Sequence, residues 1–136
     1  MKRKATAVWK GAGKEGKGQV STQSTVLSNT QYSFNSRFAE DKGTNPEELV
    51  AAAHAGCFAM KLSIVLADAG FPSEELNVEC TVTLTDGAIK QSHLVVKAKV
   101  PNISADDFKK HAEDAKQNCP ISKSLTADVT MDASLV

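Results

Sequence analysis

The chain carries no excess charge of either sign: sixteen Lys and Arg face sixteen Asp and Glu, for a formal net charge of +0. Without a basic block to neutralise phosphates, nucleic acid is not expected as the main partner. No run of about 18 uncharged apolar residues is present, which argues against a membrane-spanning helix. The basic start Met1-Lys2-Arg3-Lys4 has no apolar segment behind it, which argues against a signal peptide. Repeats and low-complexity linkers are absent. Cysteine is sparse, with three residues and no Cys-x-x-Cys pair. An odd number in a chain expected to be cytoplasmic suggests catalytic, redox or metal roles rather than a disulfide framework. Arginine is scarcer still, since only Arg3 and Arg37 break an otherwise complete preference for lysine. Arg37 lies inside the aromatic stretch Tyr32–Phe38, and arginine is suited to bidentate pairing with a carboxylate. A plain surface arginine is the alternative.

What the chain does have is organised around Thr44-Asn45-Pro46-Glu47-Glu48-Leu49 and the uncharged run from Leu49 to Met60 that follows. Asn45 suits an N-cap, Pro46 the first helical position, and Glu48 the N3 acid of a capping box, which leaves Glu47 free for another task. The helix is expected over Pro46–Ala69, stopped by Gly70 with Pro72 beyond. Its first half is apolar nearly all round and needs cover on several sides. Before it, residues 4–10 and 18–24 read as a hairpin, and Gln31–Phe38 as a third strand joined to the helix by a loop, Ala39–Gly43. The glycines of the first hairpin loop lack the Gly-Lys-Ser/Thr ending and following helix of a nucleotide cradle. After the helix, Val78, Cys80, Val82 and Leu84 alternate with polar residues, Asp86-Gly87 signals a tight turn, and Ile89–Val100 returns. Ser104 opens a second helix that ends near Cys119-Pro120. A short turn over Ile121–Leu125 precedes a last strand, Thr126–Leu135. Strands grouped around helices without regular β-α-β alternation read as a single α+β domain over residues 1–136.

Four side chains in this frame bear on the chemistry. Cys57 is either a small buried hydrophobe or a nucleophile. Cys119 lies where a helical turn begins, a position at which backbone N–H groups favour a thiolate. Cys80 is expected to point into the core with Val78 and Val82. His54, three residues before Cys57, reads as a hydrogen-bonded core histidine, with a Cys–His nucleophile pair as the other reading.

The run Gly43–Leu49, the segment Ala53-His54-Ala55-Gly56-Cys57-Phe58 and the later Asn118-Cys119-Pro120-Ile121-Ser122 together resemble the OsmC/Ohr family. Its members are the osmotically inducible protein C and organic hydroperoxide resistance peroxidases. The resemblance extends over Gly16-Lys17-Gly18, Val20-Ser21-Thr22 and Phe34–Phe38, and the position of Arg37 before the helix is similar to the OsmC branch. It implies an OsmC-like α+β fold, with long central helices wrapped by antiparallel β-sheets in an intertwined homodimer with sites at the subunit interface. It also implies a thiol peroxidase acting on organic hydroperoxides in defence against oxidative or osmotic stress. Cys57 would be the peroxidatic cysteine, Cys119 the resolving one, and Arg37 with Glu47 would complete the site. No metal or other cofactor is implied, and the reductant would be a dithiol of the lipoyl type. Phe58 and Phe38 are expected to favour alkyl peroxides. Glu47 and Cys57 are ten residues apart, about 15 Å along a helix and roughly 80° around it, so Glu47 either acts through Arg37 at some reach or, as is expected, serves the partner subunit's site. Three rival readings are open: a zinc site from His54, Cys57 and Cys119, a Cys–His hydrolase or thiol oxidoreductase, and a carrier of hydrophobic ligands.

Overall fold

The computed structural model describes residues 1–38 and 42–136. Its contacts divide into two compact units, Met1–Leu49 and Val50–Val136. The expected loop Ala39–Gly43 lies mostly outside the described residues.

The first unit is a three-stranded antiparallel sheet of β1 (Ala5–Lys10), β2 (Lys17–Thr22) and β3 (Thr30–Ser33). Gly18 pairs with Trp9 on one side and Tyr32 on the other. The two rings close over it at 5.4 Å between centroids, and a Cβ there would come within 2.6 Å of both rings. Glycine is what lets this aromatic pair cover the strand.

The expected strand Gln31–Phe38 stops at Ser33. The Ser33 hydroxyl accepts the Ser36 N–H at 3.1 Å, and the Ser36 hydroxyl accepts the Ser33 N–H at 2.8 Å. These reciprocal side-chain bonds give the backbone an alternative to the strand ladder. The chain turns into a short helix, α1 (Asn35–Phe38), with the Phe34 and Phe38 rings 4.9 Å apart. Arg37 therefore projects from a helical turn, not from a strand.

The long helix α2 (Pro46–Asp68) begins in the first unit and continues in the second. Asn45 caps it as expected, its Oδ1 accepting the Glu48 N–H at 2.7 Å. Glu48 does not close a capping box: its carboxylate accepts the Thr44 hydroxyl at 2.7 Å. At the other end Phe71 N–H reaches Leu66 O and Gly70 N–H reaches Ala67 O. This is a Schellman motif, with Gly70 at φ +89° supplying the left-handed residue. By length and composition α2 is apolar enough to cross a membrane, because its one internal charge, Lys61, does not outweigh the apolar residues on either side.

The second unit is a sheet in the order β4-β5-β6, from β4 (Glu75–Thr85), β5 (Ala88–Lys99) and β6 (Asp128–Leu135). Asp86 and Gly87, both with positive φ, make the two-residue hairpin between β4 and β5. A register shift after Thr83 leaves Lys90 without a partner on β4. One pairing departs from the antiparallel expectation, since β6 runs parallel to β5. A parallel neighbour requires a crossover, and α3 (Ala105–Asn118) with α4 (Pro120–Ser124) supplies it. The Ser104 hydroxyl caps α3 by accepting the Asp107 N–H at 3.1 Å. The core of this unit joins Phe58, Leu62 and Leu66 of α2 to Leu94, Val96 and Ala98 of β5 and to Phe108, Ala112 and Ala115 of α3. Residues 54, 58, 62 and 66 recur every four positions and form the one buried stripe of α2. Met60 and Ile64 stay exposed.

Candidate active site

In the first unit, α1 and the start of α2 bring Arg37 and Glu47 together. Arg37 Nε donates to both carboxylate oxygens at 3.1 and 3.2 Å, and Nη2 donates to Oε1. Asn45 holds the two helices in this relation, since its side-chain amide donates to Ser36 O at 2.9 Å while its carbonyl caps α2. The hydrogen bonds from Arg37 hold the Glu47 carboxyl below its ordinary range, and the bonds to Glu47 hold the guanidinium above its own. Arg37 keeps 35% of its side-chain exposure and Glu47 15%. A pair this open contributes little to stability, and it holds the guanidinium in one orientation. The guanidinium also lies 5.6 Å from the centre of the Phe38 ring. A cavity of about 200 Å³ opens beside it, lined by Trp9, Tyr32, Phe34, Arg37 and Pro46.

In the second unit, α2 presents Cys57, half-buried, and Cys119 is fully buried between α3 and α4. Cys119 ends one helix and begins the next: its N–H donates to Ala115 O at 2.8 Å and its carbonyl accepts the Lys123 N–H at 3.0 Å. Pro120 follows as the first residue of α4, a position where a missing N–H costs nothing. Cys57 packs against the core cluster that contains Cys119, with Ile121 beside it. Burial pushes the Cys57 thiol up, the Ile121 N–H opposes that, and the neighbouring Cys119 adds to it. Among the described residues of this unit, no cation contributes to the balance, so Cys57 is held here as a thiol.

Behind the two thiols lies a polar network inside the core. His54 is fully buried. Its Nδ1 is 2.7 Å from Ser92 Oγ on β5, and its Nε2 is 2.8 Å from Ser122 Oγ on α4. Burial lowers its pKa, so the ring is neutral, with one nitrogen donating and the other accepting. Cys80 lies 3.2 Å from Ser92 Oγ, and burial pushes its thiol up.

The structure thus brings Cys57 and Cys119 together in one unit, and Arg37 and Glu47 together in the other. His54 is the hydrogen-bonded core histidine that its position on an apolar helix suggested. Both of its ring nitrogens are engaged by serines, which leaves no lone pair for the proposed zinc set. Among the described residues no three His, Cys, Asp or Glu side chains could hold a metal. Of the two phenylalanines expected near the site, Phe58 is fully buried in the core that Cys57 packs against, and Phe38 is 60% exposed. Ser92 and Ser122 were given no role from sequence. Ser92 did carry a signal, because it shares the inward parity of Leu94, Val96 and Ala98 along β5.

Comparison with known proteins adds the following. The family model for OsmC-like proteins matches residues 39–134. Peroxiredoxin OsmC of Escherichia coli (strain K12) is 43% identical over 137 residues, covering 98% of this chain and 96% of that protein. The organic hydroperoxide resistance protein-like 1 of Staphylococcus saprophyticus is 33% identical over 99 residues, covering 70% of each chain. The crystal structure of the organic hydroperoxide resistance protein OhrB of Bacillus subtilis superposes with a TM-score of 0.71 at 26% identity, covering 98% of both chains.

Proposed function

The chain belongs to the OsmC-like family, and on that premise we propose that it is a cytoplasmic, thiol-dependent peroxidase that reduces organic hydroperoxides to alcohols. The observation that carries the reading is that two free thiols from separate elements, Cys57 on α2 and Cys119 at the start of α4, share one side of the same core cluster. Cys57 attacks the terminal peroxide oxygen as a thiolate. An S–O bond forms, the O–O bond breaks, and the alkoxide leaves to be protonated as the alcohol. The sulfenic acid on Cys57 then condenses with the Cys119 thiol, forming an S–S bond and releasing water. A dithiol of the lipoyl type reopens the disulfide by two exchange steps and is itself oxidised.

Activation of Cys57 needs a cation that its own unit does not supply. Arg37, oriented by Glu47, fits that requirement and could also neutralise the departing alkoxide. Because Arg37 and Glu47 are bonded within one chain, the two act as one group in whichever subunit's site they serve. We place that site at the interface of a homodimer, with the whole chain 1–136 as one functional domain. The exposed apolar face of α2, including Met60 at 67% and Ile64 at 50%, is the surface a second copy would cover.

The test is turnover of cumene hydroperoxide with dihydrolipoamide by wild type, Cys57→Ser and Cys119→Ser. Cys57→Ser should abolish peroxide loss, and Cys119→Ser should retain one turnover without recycling. Peroxide loss that survives Cys57→Ser would refute the mechanism. Mixed Cys57→Ser and Glu47→Ala dimers should recover activity once subunits exchange, and no recovery after proven exchange would refute the shared site.

A further inference from the structure

His54 spans the second unit. It sits on α2 one turn before Cys57, and its ring bonds β5 on one side and α4 on the other. Ser122, the α4 partner, is three residues after Cys119 and directly follows Ile121, whose N–H faces the Cys57 sulfur. The α4 turn is only five residues long, and its ends are closed by local bonds alone: Lys123 N–H to Cys119 O and Leu125 N–H to Ile121 O. So short a turn has little rigidity of its own. A buried, fully satisfied imidazole bonded to its middle is a strong local constraint, because letting go would leave polar atoms unpaired in the core. Among the described residues no buried side-chain nitrogen or oxygen lacks a partner, so the network is complete as built.

We propose that His54 is a positioning residue: its hydrogen bond to Ser122 fixes α4 so that the Ile121 N–H and the Cys119 thiol both face Cys57. The other hydrogen bond, to Ser92, orients the ring for this task. Cys57 is thereby given a donor that favours its thiolate and a thiol placed for attack on its sulfenic acid, the second of which rests on the peroxidase reading above. Among the described residues the hydrogen-bond partners of the His54 ring are Ser92, Ser122 and, at 3.9 Å, the Cys80 sulfur. The titratable group facing Cys57 within the unit is Cys119.

The test uses the pH dependence of iodoacetamide alkylation of the Cys57 peptide in the folded full-length protein, read by mass spectrometry. A glutamine amide nitrogen occupies roughly the place of Nε2, and an asparagine amide that of Nδ1. His54→Gln should therefore keep the bond to Ser122, and His54→Asn should lose it. We expect His54→Asn and Ser122→Ala each to slow alkylation at neutral pH about tenfold, equivalent to about one unit upward in the thiol pKa. His54→Gln should restore most of the rate, and the double variant His54→Asn/Ser122→Ala should be no slower than either single one, because both break the same bond. A merely structural histidine would lower the melting temperature of these variants and leave the alkylation profile in place. That result overturns the proposal, as does equal behaviour of His54→Gln and His54→Asn. If His54→Asn does not fold, Ser122→Ala carries the same comparison. The assay contains no peroxide, so it judges His54 even if the wild type fails to turn over hydroperoxide.

Discussion

Asn45 is the residue on which the geometry of the Arg37–Glu47 pair depends, and its replacement by alanine has a calculable cost. Its carbonyl oxygen caps α2 through the Glu48 N–H at 2.7 Å, and its amide nitrogen donates to Ser36 O on α1 at 2.9 Å. Losing an N-cap costs about 1 kcal/mol. Losing a hydrogen bond to the carbonyl of buried Ser36 costs about 1 kcal/mol more. Asn45→Ala is thus expected to lose about 2 kcal/mol. At roughly 2.1 cal/mol/K per residue, unfolding this chain carries about 0.29 kcal/mol/K, so the melting temperature should fall by about 7 °C. Calorimetry and urea unfolding at one fixed protein concentration measure this, the concentration being held because association would shift both. Asn45→Asp separates the two contributions: it keeps the cap, loses the donor to Ser36, and should fall about halfway. Its carboxylate also meets the Ser36 carbonyl unfavourably, so α1 should loosen, and hydroperoxide turnover should drop through misplacement of Arg37. An Asn45→Ala protein within 0.5 kcal/mol of wild type would refute the reasoning. So would an Asp variant indistinguishable from Ala, because the cap would then contribute nothing.

Gly43 has φ +104°, and a Cβ added there would lie 2.0 Å from Gln31 O. Gly43→Ala should lose about 2 kcal/mol or more in urea unfolding, and a loss under 0.5 kcal/mol would show that the turn yields. Phe58→Ala removes the largest side chain of the core stripe on α2 and should cost about 3–5 kcal/mol, also by urea unfolding. The pKa of His54 is lowered in the folded state from an ordinary 6.5. The unfolded chain therefore takes up the proton first, and stability should fall as the pH drops below about 6.5. His54→Gln should flatten that part of the stability profile, and an unchanged profile would count against a neutral buried ring. The folded-state pKa of Glu47 is lowered from 4.5 by its bonds to Arg37. Its contribution is present above about 4.5 and is lost as the pH falls through the lowered value, so Glu47→Gln should titrate less steeply there.

Several parts of the molecule could be read directly because their causes are local. The start of α2 follows from Asn45 and Pro46, its end from Gly70, and the β4–β5 hairpin from Asp86-Gly87. Each depends on residues within a turn of one another. The misreadings also have local causes that a period-based reading does not weigh. The third strand ended early because Ser33 and Ser36 bond each other's backbone, and the capping box failed because the Thr44 hydroxyl claimed Glu48. Cys57 and Cys119 were marked by the company they keep in sequence, Ala-His-Ala-Gly-Cys-Phe and Cys-Pro-Ile-Ser, and by nothing in their spacing.

The amino-acid order by itself determined most of the elements, the Asn45 cap and Gly70 stop of α2, the family and the identity of the candidate reactive side chains, since these are written in residue types at fixed short separations. Only the tertiary structure decided which side chains meet. His54 finds Ser92 and Ser122 at separations of 38 and 68 residues, Arg37 finds Glu47 across ten, and β6 lies parallel beside β5. Such meetings are set by the sum of many weak packing contacts through the core, and no single residue or spacing announces them.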